Sequence, residues 1–318
     1  MRTAFYGRNL LILLAMLVLP ALGLQADTPA TGTKAPKNIA VVDTSGDGAV
    51  DWSKQELRAI GLGLPPKYAS GGSATVLARE AAIVCAERNL LKLINGVHIS
   101  SETTVKNLLI ENDTIKTKVE GLLKGATIIS EKILPDNTYQ VVLGIDLYGE
   151  DQSLAQSIDL PKQFEKAKNE KPADTPPATT TPPVATPPVT DPPATDTPAA
   201  DTNTDFTGLV VDCRGLALAR SMCPRLLDQT GNNLWGPENV STELINEKGI
   251  AGYSKSLDDP ELKKRVGKHP LIVKAIRTSG GKSFKADAVL SPADCEHVRT
   301  ADEKTNFLEK LNVVFLVD

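Results

Sequence analysis

Apolar residues recur along this chain with two clear periods, and each predicts a different element. Val76, Ile83, Leu90 and Ile94 fall at seven- and four-residue steps, with Ala82, Ala86 and Leu93 beside them. That spacing predicts an amphipathic helix starting near Ser73. Its many alanines (Ala74, Ala78, Ala81, Ala82, Ala86) favour helix and allow close approach to a sheet. Asn95-Gly96 is a stop signal. A second helical stripe, Val105, Leu108, Ile115, Val119 and Leu122, is closed by Gly121 or Gly125. Period two then takes over: Tyr139, Val141, Leu143, Ile145 and Leu147 alternate with Gln140, Val142, Gly144 and Asp146. With Thr127–Leu134 and the turn Pro135-Asp136-Asn137 this predicts a hairpin with one buried face. Upstream, short strand candidates lie around Trp52 and at Leu57–Gly63, ended by Pro65-Pro66. The first half thus reads strand-strand-helix-helix-strand-strand.

The second half is also mixed. Leu209-Val210-Val211 and Val313–Val317 are apolar runs short enough to be buried strands. Leu271–Ile276 and Ala286–Leu290 are further strand candidates, and Pro224–Leu234 reads as a hairpin around Gln229-Thr230-Gly231-Asn232. Ser291-Pro292-Ala293-Asp294 is a helix start: a Ser cap, Pro at the first position and an acid three residues after the cap. The terminal strand is expected to be tied into a sheet. The fold class is therefore α+β, two small domains of a few-stranded sheet packed against helices.

Two stretches break these patterns. Arg2 and Arg8 precede an apolar run from Leu10 to Leu19, then Pro20 and the small-residue exit Ala21–Ala26. This is the layout of a cleavable signal peptide over residues 1–26, cut after Gly23 or after Ala26. The run is short for a bilayer span, which needs roughly 20 residues. From Pro172 to Pro198, ten of 27 residues are Pro and the rest are almost all Thr, Ala, Val and Asp. Such a segment has little to bury and lacks backbone donors. It is expected to act as a semi-stiff disordered tether that could extend on the order of 100 Å. The organisation is then a signal peptide (1–26), a flexible N-terminus (27–37), a first α/β domain (38–150), a short polar or helical extension (151–168), the Pro/Thr-rich linker (169–205) and a second α/β domain (206–318).

Composition narrows the function. The 318 residues carry 35 Lys+Arg against 39 Asp+Glu, a net charge of −4, so no global basic surplus points to nucleic acid. Apolar residues at 41% suffice for a core but not for several membrane spans. Export would place four cysteines where disulfides form. Cys85, inside the Ala-rich helix, is expected to be buried and reduced. Cys213, Cys223 and Cys295 share the second domain, and Cys213–Cys223 is the simplest pairing.

Asp43-Thr-Ser45-Gly-Asp47-Gly48-Ala-Val-Asp51 copies much of a calcium loop, with oxygen ligands from Asp43, Ser45, Asp47 and Asp51 and Gly at position six. Lys54 stands where a bidentate acid belongs, and no apolar helices flank the loop, so a Gly/Asp turn competes with weak calcium binding. Gly280-Gly281-Lys282-Ser283 ends like a phosphate loop, but Ile276 occupies the position of the required glycine. His98, His269 and His297 share no helical turn and read as solvated or locally bonded residues. Arg79, Glu80, Glu87, Arg88 and Lys92 read as a solvated helix face. No G-x-S-x-G, H-E-x-x-H or C-x-x-C motif occurs. No cofactor is expected.

The run Ala78-Arg79-Glu80-Ala81-Ala82-Ile83-Val84, then Ala86-Glu87-Arg88-Asn89-Leu90-Leu91, Ile94-Asn95-Gly96-Val97 and Lys118-Val119-Glu120-Gly121, resembles the bacterial envelope family named after a twenty-kilodalton surface lipoprotein. It also resembles the N-terminal domain of flagellar assembly protein T. The similarity covers Val50–Tyr148. It implies a non-enzymatic, envelope-associated α/β module, used in some cases in flagellar basal-body rings, and it brings no catalytic residues. The acylated Cys of the lipoprotein has no counterpart before Cys85, so no lipid anchor is expected. The leading expectation is an exported, periplasmic or envelope-associated structural or interaction protein, whose partners are envelope proteins or cell-wall components. Two readings compete: a secreted hydrolase with a carboxylate-based site in the second domain, and a calcium-modulated binding module.

Overall fold

A computed structural model describes residues 40–163, 205–235 and 242–318. The expected signal peptide, the N-terminal stretch 27–37 and all of the Pro/Thr-rich linker but Asp205 lie outside the described residues.

The fold is α+β. The first half is a five-stranded antiparallel sheet in the order β1 (Val42–Ser45), β2 (Gly48–Asp51), β3 (Glu56–Gly63), β5 (Tyr139–Asp146), β4 (Thr127–Ile133). Three helices follow β3: α1 (Gly71–Gly96), α2 (Val105–Glu111) and α3 (Asp113–Lys124). The expected hairpin is β4–β5, and its buried positions Val141, Leu143 and Ile145 pair with Gly61, Ala59 and Leu57 of β3. Trp52 lies not in a strand but in the turn between β2 and β3. The single expected second helix is two helices. Asn112 breaks it, because its side chain accepts hydrogen bonds from the backbone N–H of Thr114 (3.0 Å) and Ile115 (3.2 Å), capping α3.

The packing of α1 follows the expected stripe at Leu90, Leu93 and Ile94 and departs from it at the start of the helix. The face on the sheet is Ala78, Ala82, Ala86 and Leu90, while Val76 is 60% exposed. Size explains the inversion. A Cβ at Gly61 would stand 2.0 Å from the Ala82 carbonyl, and one at Gly63 2.0 Å from that of Ala78. Backbone approaches backbone there, so only alanines fit over Gly61 and Gly63 and Val76, Leu77 and Val84 are turned outward, while Leu90, Leu93 and Ile94 farther along the helix are buried.

In the second half, β10 (Pro270–Lys274), β6 (Gly208–Asp212), β13 (Val313–Leu316) and β9 (Gly252–Ser254) form a parallel sheet in that order. Helix α6 (Pro260–Val266) covers one face, packing Leu262 and Val266 on Val210, Val314 and Leu316. The other face sends Leu209, Val211, Val313 and Phe315 into the main core. Both faces are buried, which is why β6 and β13 read as unbroken apolar runs. A smaller sheet orders β11 (Arg277–Ser279), β12 (Asp287–Val289), β7 (Leu226–Leu227) and β8 (Asn233–Trp235). Helix α7 (Pro292–Thr305) starts as expected, with the Ser291 hydroxyl accepting from the Asp294 N–H at 3.1 Å. Helices α4 (Leu154–Ser157) and α5 (Thr242–Lys248) complete the set named here.

The two halves are not separate leashed bodies. Trp52, Ile99, Leu147, Tyr148 and Leu154 belong to one apolar core with Leu209, Val211, Met222, Tyr253 and Phe315. The extension after residue 150, expected to be polar or helical, includes helix α4 and contributes fully buried Leu154, Ala155, Ile158 and Leu160.

The close approach of α1 yields a paired test. Gly61→Ala is expected to lose about 3 kcal/mol in urea unfolding, since its Cβ meets backbone that cannot swing away. Gly121→Ala, on α3 with open space around it, is expected to gain roughly 0.5–1 kcal/mol.

Candidate functional site

The chemistry-bearing residues gather along the seam where the halves meet. At its centre Arg225 and Asp287, 2% and 0% exposed, form an ion pair at 2.7 Å. Asp287 also accepts from the Arg225 backbone N–H (3.1 Å) and from the Ser101 hydroxyl (3.0 Å), so a residue of the first half completes its shell. The Ser101 oxygen in turn accepts from the Ala286 N–H at 3.3 Å. Backbone joins the halves alongside: the Met222 N–H donates to the His98 carbonyl (2.9 Å) and the Cys223 N–H to that of Ile99 (2.7 Å). The His98 ring stacks on Phe284, with centroids 3.4 Å apart and planes 8° from parallel.

Gly280-Gly281 finds its reason here. Gly280 has φ +138, and a Cβ on it would stand 2.4 Å from the Ser101 hydroxyl oxygen. The glycines let the 98–101 segment lie against the second half.

A second contact set lies at the β1–β2 end. The Trp52 indole N–H donates to Asp43 at 2.7 Å, Asp43 pairs with Arg220 at 2.8 Å, and the Trp52 ring meets Tyr253 edge-on at 5.6 Å. The Tyr253 hydroxyl donates to the Ser221 carbonyl (2.9 Å) and accepts from its N–H (3.0 Å). Burial pushes the Tyr148 and Tyr253 phenols above their usual range, so both stay neutral.

Beside the Trp52–Tyr253 contact opens a cleft of about 620 Å³, walled by Trp52–Gln55 from the first half and by residues of α5, β9, α6 and β13 from the second. The Gln55 side-chain amide donates across it to the Lys248 carbonyl at 3.2 Å. This volume lies within the roughly 300–1,000 Å³ of small-molecule pockets, which favour such interfaces.

The calcium-loop residues do not converge. Asp43–Asp51 is a β-hairpin in which Asp43 pairs with Val50 and Ser45 with Gly48. Asp43 and Ser45 share one face while Asp51, opposite Val42, points to the other, and the carboxylates are occupied elsewhere: Asp43 with Trp52 and Arg220, Asp51 with the N–H groups of Ser53 and Lys54. Among the described residues no group of three His, Cys, Asp or Glu is placed to hold a metal ion.

Cys213 and Cys223 do not form the expected bridge. The Cys213 N–H bonds to the Leu316 carbonyl and the Cys223 N–H to that of Ile99, so each is pinned to a different strand or seam segment. Burial pushes the Cys213 thiol up to about 12. Cys85 is free and half-buried rather than buried.

Three acids of the second half serve structure. Asp228 holds the β7–β8 turn through Thr230 and Asn232, Asp259 caps α6, and Asp302 accepts from the Leu308 N–H. A close carboxylate pair does exist, but in the first half, where Glu56 of β3 sits opposite Asp146 of β5. Burial first, then the Glu56 charge, hold Asp146 above the usual carboxylate range, while Arg58 pairs with Glu56 at 2.5 Å.

Sequence reasoning passed over Arg225, Asp287, Ser101, Lys248 and Arg265. A signal for the first two was present. Each is a lone charge inside an apolar strand-like run, Pro224-Arg-Leu-Leu and Ala286-Asp-Ala-Val-Leu, and the two are of opposite sign. Nothing local marked the others.

Residues 208–318, from the first residue of β6 to Asp318, match the family described as Treponema pallidum Tp0624, second domain. The match coincides with the second half of the fold and leaves the first half outside it. No curated protein matches the chain.

Asp287→Ala is expected to destabilise the protein by about 3–5 kcal/mol, because it strands a buried guanidinium; chemical denaturation measures it. His98 gives a pH signature. Burial holds its imidazole below the usual value, so the fold favours the neutral ring and the unfolded chain takes up the proton first. Stability is then full above an ordinary imidazole pKa of about 6.5 and declines as pH falls below it. Melting curves from pH 7.5 to 5 are expected to show that decline, and His98→Phe, which keeps a ring on Phe284, to flatten it.

Proposed function

We propose that this protein is exported and works as a non-enzymatic structural or interaction component of the cell envelope, with envelope proteins or cell-wall components as partners. The observation that carries the reading is the outer face of the five-stranded sheet. Helix α1 covers the face of Leu57, Ala59, Gly61 and Gly63. The opposite face presents Ile60, Leu62 and Ile129, 39–50% exposed, around Val142 and Gly144. Apolar residues grouped on one sheet face mark a place where another surface sits. The basic, apolar and small-residue layout of residues 1–26 supports export. The resemblance of Val50–Tyr148 to envelope and flagellar-assembly modules supports the compartment and the absence of chemistry.

Fractionation tests export. The full chain is expected in the periplasm or envelope with its N-terminal segment removed, and in the cytosol when residues 1–26 are deleted. Cytosolic product with Met1 intact would overturn the reading. For the sheet face, the double variant Ile60→Asp and Leu62→Asp is expected to lose envelope partners in cross-linking while keeping its far-ultraviolet circular dichroism.

A further inference from the structure

The seam cleft has a charge arrangement that its structural duties do not explain. Lys248, at the end of α5, and Arg265, on α6, stand in its wall, both half-buried. Their partners are neutral. The Lys248 ammonium donates to the Lys310 carbonyl (3.0 Å) and to the Asn312 side-chain oxygen. The Arg265 guanidinium donates to the carbonyls of Lys248 (2.8 Å), Gly249 (2.6 Å) and Leu311 (3.0 Å). Among the described residues neither forms an ion pair. The two cations repel each other, and burial with that repulsion brings Lys248 down to about 8. Burial brings Arg265 down to about 10, so it remains protonated at neutral pH.

Two half-buried, mutually repelling cations in one wall, facing neutral acceptors, are held at a disadvantage that an anion in the cleft would relieve. The donor count agrees. A guanidinium has five N–H groups, and three of Arg265's are engaged. Lys54 and Lys264 line the same space and are exposed. Its acids, Glu247 and Glu261, are exposed as well, so the groups set into the wall are the cations alone.

We propose that the seam cleft binds a compact oxyanion, a carboxylate or phosphate group of a small molecule, with Lys248 and Arg265 as its charge partners and Lys54 and Lys264 at its entrance. The site needs both halves, because Lys54 and Gln55 come from the β2–β3 turn. Occupancy would therefore tighten the seam. The inference is independent of where the protein resides.

Calorimetry of the full chain with inorganic phosphate and, separately, citrate, in buffers of matched ionic strength made up with chloride, tests it. Saturable binding of at least one probe is expected, and the two arms separate phosphate from carboxylate recognition. Lys248→Gln is expected to weaken binding about tenfold, while the unliganded protein melts no lower than wild type because the repulsion is gone. A purely structural lysine would lower the melting temperature instead. Lys264→Glu, exposed and harmless to folding, is expected to weaken binding about threefold or more, and it carries the test if Lys248→Gln does not fold. Affinity is also expected to fall as pH rises through about 8, where Lys248 loses its proton. Over that range Arg265 stays cationic and Tyr148 and Tyr253 neutral; the other charged groups facing the cleft are Lys54, Lys264, Glu247 and Glu261. No saturable heat from either probe up to about 10 mM, or affinity unchanged in both variants, would overturn the proposal.

Discussion

Arg225 and Asp287 bring full charges into a space closed to water, and that choice constrains everything around them. An isolated buried charge is too unfavourable to persist, so each needs the other and each needs its remaining polar atoms satisfied. Asp287 meets that demand with the Arg225 side chain and backbone and with the Ser101 hydroxyl. Because Ser101 comes from the far half of the chain, the pair is complete only when the halves are docked. Register follows: 98–101 must lie along 222–225, Gly280 must give way to Ser101, and His98 comes to rest on Phe284. An apolar seam of the same size would hold the halves as firmly but would tolerate sliding.

The same geometry places the cleft. Once the 98–101 segment fixes one end of the seam and Trp52 on Tyr253 fixes the other, the β2–β3 turn is carried over α5 and α6. The space left between them is walled by parts of the chain nearly 200 residues apart. The Gln55–Lys248 hydrogen bond spans it. Structure and proposed binding are thus coupled by construction, since whatever loosens the seam opens the cleft.

The family match and the fold divide the chain at the same place. Residues 208–318 carry the likeness to the Treponema domain, and they also form the parallel sheet and its helices. The first half carries the exposed sheet face on which the proposed envelope role rests. A binding surface on one half and a charged cleft at the joint are different devices, and they occupy different parts of the fold.

Local patterns determined most of the elements. Alternation gave β4–β5, unbroken apolar runs gave β6 and β13, and Ser291-Pro292 gave the start of α7, since each depends on neighbours within a few residues. The calcium-like spacing and the nearest cysteine pair carry less, for the complementary reason. A ligand set or a bridge requires convergence in space, and the hairpin at Asp43–Asp51 and the separate anchoring of Cys213 and Cys223 deny it. The face that α1 buries, the union of the halves, and the meeting of Lys248 with Arg265 were decided only in the tertiary structure. Helix rotation answers to how closely two backbones can approach, and charge pairing answers to distances that no sequence separation encodes.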